Sequence, residues 1–86
     1  MNERLSTLKG IHPGLFLDRE LRRRNIKSKD LASAIGEHPQ TLSAIIRGKR
    51  GMNTPLSLRI ERNLQLEEGL LMSLQIFFEI EQEKRK

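Results

Sequence analysis

Ser28-Lys29-Asp30-Leu31-Ala32-Ser33-Ala34-Ile35-Gly36-Glu37-His38-Pro39-Gln40-Thr41-Leu42-Ser43-Ala44-Ile45-Ile46-Arg47 is the stretch that decides the fold. It reads as two short helices joined by a three-residue turn. In the first, from about Ser28 or Lys29 to Ile35, Leu31, Ala34 and Ile35 form the apolar side. Gly36 ends it, where a left-handed residue is wanted. The second begins at Pro39, which suits a first helical turn, and ends by Arg47 or Gly48. At about 100° per residue, Leu42, Ile45 and Ile46 fall on one side and Gln40, Thr41, Ser43, Ala44 and Arg47 on the other. Small Ala32 permits close approach of the pair, Gly36 makes the turn, and Leu42 and Ile45 anchor the second helix. This is the pattern of a helix-turn-helix, whose second helix enters the major groove of DNA.

Helical signals continue on both sides. Upstream, Pro13 opens a helix containing Leu15, Phe16, Leu17 and Leu21, with Asp18 and Glu20 near its start and Arg22, Arg23 and Arg24 near its end. Asn25 is its expected stop. Downstream, Gly48-Lys49-Arg50-Gly51 is a basic loop. Thr54-Pro55 reads as an N-cap and first helical residue, opening a fourth helix to about Gln65. A fifth is expected from about Glu67 to Gln82. Strand signals are almost absent, without Trp or Tyr and without sustained alternation. The fold expected is all-α, with five helices and a central helix-turn-helix. The organisation expected is a flexible segment over residues 1–10, a domain over 11–82 and a charged tail over 83–86.

Composition bounds the function. Eighty-six residues suffice for one domain with a modest core. Cysteine is absent, which excludes disulfides and thiolate metal sites. The opening residues lack the apolar run of a signal peptide, and no stretch approaches a membrane span, so a cytoplasmic protein is expected. The net charge of +5 is unevenly spread: residues 1–50 carry eleven Lys or Arg against five Asp or Glu, and residues 51–86 five against six. A basic first half points to a polyanionic partner, with nucleic acid the usual one.

The exposed side of the second helix of the pair has the chemistry for reading bases. Gln40 offers donor and acceptor together to an adenine edge, Thr41 and Ser43 carry hydroxyls, Ala44 permits close approach to a thymine methyl, and Arg47 can donate in two prongs to guanine. Ser28, Lys29, Lys49 and Arg50 flank this surface and suit phosphates, which position a protein without reading sequence. The start of that helix can itself receive a phosphate.

Other sites have little support. His12 and His38 are the only histidines, too few for a metal site. His12 is expected to pack or cap at the first helix. Ser43 has no convincing His and Asp partners, and Glu61, Glu67 and Glu68 read as solvated charges, so neither an enzyme nor a cofactor is expected. In the fifth helix, Leu70, Leu71, Leu74, Phe77 and Phe78 make one apolar stripe. Met72, Ile76 and Ile80 make a second, with Gln75 and Glu79 between. Two stripes on so small a domain point to a contact with a second copy through Met72, Ile76 and Ile80. Acidic polar positions argue against a membrane role for this helix.

From Ile11 to Leu74 the chain resembles the HigA-type antitoxins, within the Xre/Cro group of lambda-repressor-like regulators. The resemblance rests on Ile11-His12-Pro13-Gly14 with Phe16-Leu17, Asp30-Leu31-Ala32, Ile35-Gly36, Pro39-Gln40-Thr41-Leu42-Ser43, Ile45-Ile46-Arg47-Gly48-Lys49-Arg50, Thr54-Pro55 and Leu58-Arg59-Ile60-Glu61. It implies a five-helix lambda-repressor-like fold. It also implies a homodimer on an inverted-repeat operator in its own promoter, and a RelE-like mRNA-cleaving toxin as partner. Two other readings remain open: a stand-alone Xre-type regulator without a toxin, and a toxin-binding module with weak DNA binding. The sequence departs from the pattern at three positions. Glu37 replaces a usual aliphatic turn residue and brings negative charge toward the DNA face. His38 and Lys27 stand where capping residues are common, each costing a cap of about 1 kcal/mol unless Ser28 takes over for the second helix.

Overall fold

The computed structural model describes residues 10–86; the expected flexible segment falls, but for Gly10, outside them. The described residues form five α-helices: α1 Pro13–Arg23, α2 Ser28–Ile35, α3 Pro39–Ile46, α4 Thr54–Leu64 and α5 Leu70–Lys84. No strand occurs among them. α2 packs on α3 and α4, α1 on α3 and α5, and α4 on α5. The core between them is aliphatic: Leu17 and Leu21 of α1, Leu31 and Ala32 of α2, Leu42 and Ile45 of α3, Leu56, Ile60 and Leu64 of α4, and Leu71 of α5, with Met52 from the loop.

Local chemistry sets most boundaries. His12 caps α1, its Nδ1 accepting the Gly14 amide at 2.9 Å, and Pro13 takes the first helical position. Past Arg24, Asn25 turns left-handed at φ 57° and stops the helix. α2 starts at Ser28 with Lys27 at its N-cap, so Ser28 does not take over the cap, and no side chain closes that end. Gly36, at φ 72°, ends it, and the Glu37 amide returns to the Ala32 carbonyl. This 6→1 bond satisfies a carbonyl that the helix leaves orphaned.

Two helix starts differ from expectation. The N-cap of α4 is Asn53, whose Oδ1 accepts the Leu56 amide at 2.9 Å; Thr54 is already helical. Both residue types can cap, and spacing alone did not choose between them. α5 begins at Leu70 and continues through Lys84, two residues past the expected end. Gly69, at φ 91°, breaks the chain direction before it. Its start is capped from a distance by Glu61 of α4, which accepts the amides of Gly69 at 3.0 Å and Leu71 at 2.8 Å. Glu61 is therefore no solvated charge: it is 2% exposed. A buried carboxylate is tolerated where several donors meet it, and here two orphan amides do so. Glu67 and Glu68 are exposed but precede the helix.

Candidate nucleic-acid interface

α3 divides as its periodicity requires. Leu42 and Ile45 are fully buried and Ile46 packs against the core. Gln40 and Arg47 are exposed; Thr41, Ser43 and Ala44 are half-buried. Gln40, Ala44 and Arg47 follow one another at i, i+4 and i+7, hence on one face. From Gln40 to Arg47 the helix rises about 10 Å, comparable to three base-pair steps. Arg47 is the C-cap, and behind it Gly48 at φ 74° lets the Lys49 amide close on the Ala44 carbonyl at 2.9 Å.

The candidate phosphate contacts lie on the elements next to α3 in the chain. Ser28 and Lys29 open α2, which packs against α3, and Lys49 and Arg50 occupy the exposed loop after α3. Basic residues differ sharply in commitment. On α1, Arg22 pairs with Asp18 at 3.0 Å and Arg23 with Glu20 at 2.9 Å. Arg24 donates to the Leu64 carbonyl and closes the end of α4. Among the described residues Lys29, Arg47, Lys49 and Arg50 make no ion pair. Exposed Arg19, Lys27, Arg62 and Arg85 make none either, so cations without an ion pair lie at the start of α2, at the end of α3 and in its following loop but are not confined there, while Arg22, Arg23 and Arg24 at the end of α1 are locally neutralised.

Two contacts behind the loop hold it in place. The Gln75 side chain of α5 accepts the Met52 amide at 2.7 Å and donates to Glu79 at 3.1 Å. Gln75, expected between two apolar stripes as a polar position, is buried by this role. The His12 ring stands edge-on to Phe78 of α5, centroids 4.8 Å apart, and shares a hydrogen bond with the Arg50 backbone. Burial holds its pKa below the ordinary value, against the opposing effect of that bond.

Glu37 does not project its charge freely. One carboxylate oxygen accepts the His38 amide at 2.9 Å; the other lies 3.3 Å from the Arg59 guanidinium of α4. The amide bond, then the nearby arginine, hold its carboxyl below the usual carboxylate range. Neither His38 nor Lys27 provides a side-chain cap, as expected. Sequence reasoning missed the roles of Arg59, Gln75 and Glu61, each of which has a partner at least eight residues away in the chain.

On α5, Ile76 and Ile80 are 52% and 46% exposed, one helical turn apart. Met72, expected beside them in the same contact, is partly buried and packs against this chain's own core. It lies one turn before Ile76 but close to the start of the helix, where Glu61 draws α5 onto α4.

Among the described residues no group of His, Cys, Asp or Glu is placed to hold a metal ion, and no helix is long and apolar enough to cross a membrane.

The helix-turn-helix family model matches residues 19–71, more than half of the chain, and this protein belongs to that family. Its fold is the all-α, lambda-repressor-like one. Among solved structures it is similar to PA4674 of Pseudomonas aeruginosa, crystallised in complex with its 28-bp operator DNA. The TM-score is 0.79 at 27% identity, over 85% of this chain and 81% of the other. No curated protein matches the sequence.

Proposed function

We propose that this protein is a sequence-specific DNA-binding transcriptional repressor that reads bases with Gln40, Thr41, Ser43, Ala44 and Arg47. Ser28, Lys29, Lys49 and Arg50 hold phosphates. The observation that carries this reading is the division of α3 into a buried aliphatic side and a short polar side, with unpaired cations on the elements next to it in the chain. Similarity to a regulator crystallised on its operator supports it.

The repressor acts as a homodimer on an inverted repeat, with Ile76 and Ile80 supplying the contact and Met72 contributing from the core side. It is the antitoxin of a type II toxin–antitoxin module: it represses its own operon and neutralises a RelE-like mRNA-cleaving toxin. The antitoxin assignment rests on the sequence resemblance from Ile11 to Leu74. No catalysis is assigned.

Footprinting on the protein's own promoter tests the reading. Two protected half-sites about 34 Å apart, one helical turn, are expected. Protection that is uniform along the DNA would overturn sequence-specific repression. Co-purification with the product of a neighbouring short basic reading frame tests the antitoxin assignment; a promoter-binding protein without such a neighbour is a stand-alone regulator.

A further inference from the structure

α4 carries one side chain that reaches the joint of the helix-turn-helix from outside it. Arg59 lies in the shallow hollow between α2 and α4, beside Ala34 and Ile35. Its Nη1 donates to the Ile35 carbonyl at 2.8 Å, the last residue of α2. Its Nη2 donates to Glu37 Oε2 at 3.3 Å, and the other oxygen of that carboxylate takes the His38 amide, the N-cap of α3. One planar guanidinium therefore bridges the end of one helix to the start of the next. No side chain caps α3 by itself, since His38 makes no cap bond.

We propose that Arg59 is a positioning residue for base readout: it fixes the angle at which α3 is presented, through Ile35 on one prong and Glu37 on the other. The inference rests on the assignment of α3 as the reading helix. Arg59 need not touch DNA. A rigid fork can hold two acceptors in fixed directions, whereas a lysine ammonium supplies a point charge on a flexible stem. Without the fork, the Ile35 carbonyl and the His38 amide, the latter held through Glu37, lose their tether to α4, and Gln40 and Arg47 meet the base edges at varied angles. Phosphate contacts tolerate such variation better than paired hydrogen bonds to bases, because charge attraction is less directional.

The test uses the full chain with Arg59→Met and Arg59→Lys, both checked for wild-type helicity. Two readouts are taken. Hydrogen exchange of the amides over residues 36–41 needs no DNA. Binding is titrated on a duplex selected by the wild-type protein from a random-sequence pool and on a scrambled duplex of equal length. Both variants are expected to speed exchange over 36–41 while the α1 and α5 amides stay protected. The ratio of selected to scrambled affinity is expected to fall about tenfold, the scale of one lost two-pronged base contact. Scrambled-duplex affinity and salt slope should stay near wild type. Unchanged exchange over 36–41 overturns the positioning role. Equal loss on both duplexes with a shallower salt slope also overturns it and makes Arg59 a phosphate contact. If Arg59→Met loses its helicity, Arg59→Lys decides, since it keeps the charge and loses only the fork. Failure of base readout itself is distinguishable: the wild type would then select no sequence, whatever the exchange data show.

Discussion

Gly14 of α1 lies directly against Ile45 of α3: a Cβ at Gly14 would overlap the Ile45 carbonyl oxygen. The first turn of α1 is thereby the platform for the end of α3. The His12 ring fixes that turn by accepting the Gly14 amide.

Replacing Gly14 by alanine should therefore be costly, because the obstacle is backbone that cannot rotate away. A loss of at least about 2 kcal/mol is expected, the usual scale for forcing a methyl into a packed interior. For a domain of this size it lowers Tm by about 10 °C or more. Gly36→Ala is the control. Nothing lies within 4 Å of a Cβ there, and only the positive φ of 72° opposes it. Its cost should be about 1–2 kcal/mol. Thermal unfolding of both variants measures the difference, and equal losses would contradict the close approach at Gly14.

Stability should fall in mildly acidic solution through His12. Its Nδ1 must be unprotonated to accept the Gly14 amide, and burial lowers its folded pKa. The unfolded chain has an ordinary histidine pKa of about 6.5. Above that value His12 is neutral in both states and contributes no pH dependence. As pH falls below it, the unfolded state takes up the proton first, and stability declines until the folded pKa is passed. Asparagine also caps helices and does not titrate. His12→Asn should therefore flatten the profile of Tm against pH just below neutrality. A profile as steep as the wild type's would assign the effect to other groups.

Self-association should depend on Ile76 and Ile80, the exposed isoleucines of α5. Ile76→Glu with Ile80→Glu places two charges on that face without disturbing the buried Leu71 and Leu74. Sedimentation is expected to show a dimer for the wild type and a monomer for the double variant, with helicity retained. An unchanged dimer would move the contact elsewhere. A dimer dissociated by the variant should also bind the inverted repeat more weakly than a single half-site change explains.

Local rules made much of this fold legible. Helix punctuation by Pro13, Asn25, Gly36 and Pro39, and the division of α3, depend on residues near in sequence, and the structure agrees with them. What escaped depends on distance. Glu61 sits between Ser57 and Leu64, both buried and one turn away, so its place on the inner face was readable. Its charge hid this, because the two amides that make its burial tolerable come from the following helix. Met72 shared a stripe with Ile76, but the packing of α5 drew only its first turns into the core. The free or paired state of a cation was likewise beyond composition: the arginines ending α1 contribute to the net charge yet are tied to Asp18, Glu20 and Leu64. Glu37 reads in sequence as a free negative charge near the DNA face, because its partner Arg59 lies twenty-two residues on.

The central claim is that α3 reads bases while the loop behind it holds phosphates. Titration of Arg47→Ala and Lys49→Ala on promoter and random DNA, across a range of salt, tests it most directly. Arg47→Ala is expected to weaken promoter binding by about 1–3 kcal/mol and random binding much less. Lys49→Ala should weaken both alike and make the salt slope shallower by about 0.9, one phosphate's share. Equal losses on the two DNAs for both variants would contradict base readout by α3.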